Sequence, residues 1–75
     1  MYNVKAPFAA MIRKEMKRLG YDTKGKVRSK SNEMYSMIEV DMRFMSHEDV
    51  DSLQWFIHSN ETYETRQSFE IDVIV

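Results

Sequence analysis

Apolar and polar residues alternate with two distinct periods along the chain, and the change of period marks its elements. From Pro7 to Leu19 the apolar positions Phe8, Met11, Ile12, Met16 and Leu19 recur every three or four residues, with Arg13, Lys14 and Lys17 lying opposite. That spacing predicts a helix with one buried side. Pro7 sits in its first turn, basic residues fill its last turns, and Gly20 follows its end, where helices commonly stop. Glu15 falls about 20° from Phe8 on the helical wheel, inside the apolar stripe. A carboxylate there has to meet a base or reach the rim of the interface, because burying it unpaired is costly.

From Lys24 to Phe44 the period falls to two. Ile38, Val40, Met42 and Phe44 alternate with Glu39, Asp41 and Arg43, the pattern of a strand with one face in the core and one in water. Before it, Lys24, Lys26, Arg28 and Lys30 alternate with Gly25, Val27 and Ser29, and Ser31, Asn32 and Glu33 supply turn chemistry. The two runs predict a β-hairpin. A turn centred on Asn32 and Glu33 would set Lys26 opposite Glu39 and Lys24 opposite Asp41. On the outer face of this sheet Met37 is the one methionine expected to meet water, the others belonging mostly to the core.

Ser46 followed by Asp49 resembles a capping box, and a second helix is expected from about His47 to Ser59. Val50, Leu53 and Ile57 form its inner stripe. Trp55 and Phe56 point away on opposite flanks, by about 140° and 120° from Val50, so at least one of them is left incompletely covered. Asn60 to Arg66 reads as a polar connector, and Phe69, Ile71, Val73 and Val75 alternate with Ser68, Glu70 and Asp72 as a third strand. Met1 to Lys5 reads either as a frayed end or as a short edge pairing. The expectation is therefore one α+β domain over residues 1–75, ordered α-β-β-α-β, with two helices packed on one face of a three-stranded sheet. Strand order stays open: a central basic first strand pairs charges better but has a weak inner face in Gly25, Val27 and Ser29, whereas burial, which outweighs exposed ion pairs, favours the apolar second strand.

Composition narrows the function. The chain has 75 residues and no cysteine, so thiolate metal sites and cysteine nucleophiles are excluded, and a reducing cytosol is the expected location. No apolar run approaches the length of a membrane span and no signal-peptide pattern follows Met1, so no membrane partner is expected. Two glycines, Gly20 and Gly25, leave no phosphate-cradling loop. A metal site would need His47 and His58, which stand about 16 Å apart along one helix. No serine has the context of an activated nucleophile, and a chain this short has little room for a pocket with a supporting shell. The expectation is a non-enzymatic protein without cofactor or metal.

The net charge of -1 conceals a division between the ends of the chain. Residues 1–31 carry nine basic side chains against Glu15 and Asp22, a net of +7, whereas residues 32–75 carry Arg43 and Arg66 against ten acids, a net of -8. Two interaction surfaces follow. Lys24, Lys26, Arg28 and Lys30 leave one face of a strand, and Arg13 and Lys17 join them from the first helix, a stripe that could track phosphates. Asp51, Trp55 and His58 form a row on the second helix, bordered by Glu48; tryptophan is enriched among interface hot spots, and its acidic surroundings suit a basic protein partner. Opposite charged faces and an exposed edge strand also make a homo-oligomer an open alternative.

The segments IRKEMKRLGY, KVRSKSN and SMIEVDMRF resemble one of the large polyvalent protein associated domains found in proteins of phages and conjugative elements, in which a helix of the type lR..lk..fP precedes a strand containing VRSkS and a second alternating strand. The resemblance spans about half of the chain. The family tends to carry Pro-Gly after the first helix and a glycine-rich hairpin turn, where this chain has Gly20-Tyr21 and Asn32-Glu33. It implies an accessory protein of a mobile element without catalysis, of a size suited to a phage-encoded, anti-defence inhibitor of a host or defence complex. The expected function is thus occupation of a partner protein's surface; the alternative is a nucleic-acid-binding accessory domain using the basic helix and strand.

Overall fold

Two helices, α1 (Lys5–Arg18) and α2 (His47–Asn60), cover one face of a three-stranded sheet in the computed structural model, which describes residues 4–75. The strands are β1 (Val27–Ser31), β2 (Ser36–Asp41) and β3 (Glu70–Ile74), in the order β1-β2-β3. The class is α+β. β1 and β2 run antiparallel as a hairpin, and β3 returns parallel to β2 after the helical crossover. The first three residues of the Met1 to Lys5 reading lie outside the described residues, and Lys5 opens α1.

The central place of β2 follows from its side chains. Ile38 and Val40 are fully buried, whereas in β1 only Val27 is buried and Ser29 and Ser31 are exposed. A strand able to fill both flanks with apolar contacts takes the middle, where each large aliphatic side chain contributes about 1.5–3 kcal/mol on burial. Around it Phe8, Ala9, Ile12 and Met16 of α1, Leu53 and Ile57 of α2, and Met42, Met45 and Phe69 complete the core. Phe8 and Phe69 meet edge to face with centroids 5.3 Å apart, joining the start of α1 to the entry of β3.

Local signals set the helix ends. Pro7 occupies the first turn of α1, where a missing N–H breaks no helical bond. Gly20, at φ 99°, ends the helix: its N–H donates to the Lys17 carbonyl and that of Tyr21 to the Met16 carbonyl, the paired bonds of a Schellman motif. The Ser46 hydroxyl accepts the Asp49 N–H at 3.3 Å and starts α2 as expected. The segment read as a polar connector holds a further short helix, α3 (Tyr63–Ser68). Reciprocal bonds between Thr62 and Thr65 nucleate it, a threonine pair in place of the usual serine or threonine with glutamate.

The hairpin register departs from expectation by two residues. The Asn32 side chain accepts from the N–H groups of Met34 and Tyr35, and its own N–H donates to the Tyr35 carbonyl at 2.9 Å, so the turn centres on Glu33 and Met34. Arg28, not Lys26, is opposite Glu39, and Lys26 lies across from Asp41, whose N–H donates to its carbonyl. Because the shift is even, each side chain keeps its expected face. Lys24 lies before β1 in a turn with Gly25 at φ 72°, outside the strand and its alternation. β2 ends at Asp41, and Phe44, expected inside, is 40% exposed and packs edge-on against Tyr21. Met34 at the hairpin tip is exposed, while Met37, expected in water, is half-buried.

Candidate functional site

α2 divides its side chains between two environments. Leu53 and Ile57 are sealed in the core, while Trp55, between them in sequence, is 72% exposed. Trp55 borders a groove of 520 Å³ between the outer surfaces of α1 and α2, lined also by Glu15, Arg18, Asp51, Ser52 and Phe56. The groove continues past Met11 and Lys14, with Phe56 shared by both parts. Its apolar surfaces are Met11, Phe56 and the Trp55 ring, and charge lies along its rim. The groove thus combines a concave apolar floor, an exposed aromatic at its lip and a charged rim.

Glu15, the acid in the apolar stripe, resolves its conflict here. Its carboxylate accepts two hydrogen bonds from the Arg18 guanidinium, at 2.7 and 2.6 Å. This fork is a strong bidentate arrangement. The hydrogen bonds from Arg18 hold the Glu15 carboxyl below its ordinary range, and the same bonds raise Arg18. Asp51 makes no ion pair among the described residues and stays exposed beside Trp55.

Of the proposed protein-binding row, the structure brings Asp51 and Trp55 to one groove. Glu48 is exposed one turn earlier and does not line it. His58 turns instead toward Glu61, with Nδ1 3.6 Å from a carboxylate oxygen, and lines a separate groove with Gln54, Ile57, Glu61, Ile71 and Val73. Phe56, Met11, Glu15 and Arg18 were not among the expected site residues. The signals available for them were the position of Phe56 on a helix flank and the misplaced acid at Glu15, neither of which reveals that α1 and α2 stand side by side.

The basic residues are dispersed. Arg13 donates to the Val27 carbonyl at 3.0 Å, so it braces α1 against β1, and Lys17 is exposed on α1. Lys24 is displaced into the turn. On the outer sheet face Lys30 pairs with Glu39 at 2.9 Å, and Lys26 places its ammonium 4.7 Å from the centre of the Phe44 ring. Arg28 stands opposite Glu39. The register sets Glu39 and Asp41 in the central strand, beside the basic strand, and Glu70 and Asp72 one strand further on in the third, all on this same face. Two hydrogen bonds from the Arg43 side chain, with a third from its backbone N–H, hold Asp41 far below the usual carboxylate range.

Another cluster ties the loop after α1 to the start of α2. The Tyr21 hydroxyl donates to the Asp49 carboxylate at 2.5 Å and accepts the Ser46 N–H at 3.2 Å, while its ring packs on Phe44. It therefore orients the first turn of the helix that presents Trp55. No protein-family model matches the chain, and comparison with curated proteins and with solved structures likewise finds no match.

Proposed function

We propose that the protein is a non-enzymatic interaction module that acts by occupying a surface of a partner protein through the groove between α1 and α2. The observation that carries this reading is Trp55, 72% exposed at the rim of a 520 Å³ groove floored by Phe56. What supports the reading is the combination: an exposed tryptophan continuous with the apolar surface of Phe56 and Met11 and rimmed by charge, the pattern that interfaces use. Asp51 and Glu48 nearby favour a partner with basic groups around an apolar projection. The resemblance in the first helix and the hairpin extends the proposal to an accessory protein of a phage or other mobile element, acting in the host cytoplasm on a host or defence complex.

Nucleic-acid binding is the second reading, supported by Lys26, Arg28 and Lys30 leaving one sheet face. The acids on that face weaken it, since they compete with phosphates for the same cations. The deciding experiment compares wild-type and Trp55→Ala protein, both immobilised, as baits for a host lysate, with captured proteins identified by mass spectrometry. The expected result is a specific protein retained by the wild type and lost by the variant, while circular dichroism shows the same fold. Equal capture by both would dispose of the proposed site.

A further inference from the structure

The two edges of the sheet are not equivalent. At the β1 edge Arg13 reaches from α1 to occupy the Val27 carbonyl, and the exposed side chains of that strand are basic or serine, features that discourage strand addition. At the other edge β3 has no strand beyond it among the described residues. The Ile74 carbonyl accepts the Met42 N–H, which places Ile74, and by alternation Asp72 and Glu70, with their backbone groups toward β2. The N–H and C=O groups of Ile71 and Val73 therefore face outward.

Side chains add a chemical pattern to those backbone groups. Ile71 and Val73 are half-buried on the inner side of the sheet and line a groove of 220 Å³ against Ile57, Gln54 and His58 of α2, with Glu61 just beyond its end. On the outer side of the same edge Glu70 and Asp72 are exposed and make no ion pair among the described residues. A strand laid beside β3 would send alternate side chains into the apolar groove and the others next to the two acids.

We propose that the open edge of β3 accepts an extended peptide segment of alternating basic and apolar residues, which adds to the sheet as a fourth strand. Main-chain hydrogen bonds to Ile71 and Val73 supply the attachment, the groove between β3 and α2 selects small or branched apolar side chains, and Glu70 and Asp72 select the charge. This surface is distinct from the groove at Trp55, and its occupant is recognised by strand pairing and not by an aromatic anchor.

A capped, fluorescein-labelled hexapeptide of alternating lysine and valine is the probe, titrated into the isotope-labelled full chain at low salt. The expected result is a perturbation of the Ile71 and Val73 amides, with slowed hydrogen exchange at both, and no binding of the matching glutamate-valine peptide. N-methylation of the probe on the residues that pair should abolish binding, whereas methylation of the alternate residues should leave it. Glu70→Lys combined with Asp72→Lys should weaken binding roughly tenfold, since two cross-strand charge pairs are reversed. Trp55→Ala should not change it, so failure here and failure of the proposed function are read separately. Absence of binding, perturbation centred on β1, or equal tolerance of both methylation patterns would overturn the proposal.

Discussion

Removing the hydroxyl of Tyr21 tests how the helix that presents Trp55 is held. Tyr21→Phe keeps the ring and its edge-on packing against Phe44 at 5.3 Å, and deletes one donor to the Asp49 carboxylate and one acceptor for the Ser46 N–H. A hydrogen bond to a charged group contributes about 1.5–3 kcal/mol and a neutral one about 1 kcal/mol. Tyr21 and Asp49 are only half-buried and Ser46 is exposed, so water replaces much of what is lost, and the net cost is about 1–2 kcal/mol. For a domain of this size that lowers the melting temperature by roughly 4–16 °C. Urea denaturation followed by circular dichroism at fixed pH measures it, and a double-mutant cycle with Asp49→Asn should return a coupling of about 1 kcal/mol. A cost below about 0.3 kcal/mol, or strictly additive variants, would show that the first turn of α2 is held by its Ser46 cap and core contacts alone.

Leu53→Ala and Trp55→Ala should separate stability from recognition. Leu53 is fully buried and its truncation should cost about 2–5 kcal/mol, while Trp55, mostly in water, should cost less than about 2 kcal/mol; comparable losses would mean that Trp55 is covered in solution. Arg43 lowers the pKa of Asp41 and Arg18 that of Glu15. Groups with depressed pKa stabilise the fold above their unfolded value and lose that contribution as pH falls through the folded one. The urea midpoint should therefore fall on acidification below about pH 4, and less steeply in Asp41→Asn; an identical pH dependence in the variant would contradict the assignment. Fluorescence anisotropy of labelled duplex DNA should show no appreciable binding at about 200 mM salt, and tight binding at about 50 mM that collapses with salt would place the basic strand ahead of Trp55.

Periodicity by itself determined a good deal of this protein. The four-residue spacing of Phe8, Ile12 and Met16 and the alternation of Ile38 and Val40 and of Ile71 and Val73 place buried and exposed faces correctly, because helix and strand geometry repeat strictly over a few residues. Gly20 and Ser46 mark helix ends for equally local reasons. The strand order lay open between a central β2, which burial favours, and a central β1, which charge pairing favours, and packing settles it as β1-β2-β3.

Contacts between distant residues decided the rest. A side-chain cap by Asn32 shifted the hairpin turn by one position, a choice between turns of similar propensity that the pattern cannot rank. Phe44 left the strand pattern because Arg43 folds back on Asp41 and Tyr21 offers a ring from another element. Thr62 and Thr65 made a helix from a segment whose composition reads as polar loop. The groove beside Trp55 exists because α1 and α2 lie next to each other on one sheet face, which brings Glu15, Arg18 and Phe56 to the same place from separate segments. Sequence spacing states which way a side chain leaves its own helix or strand; what it meets there is set only when the elements pack.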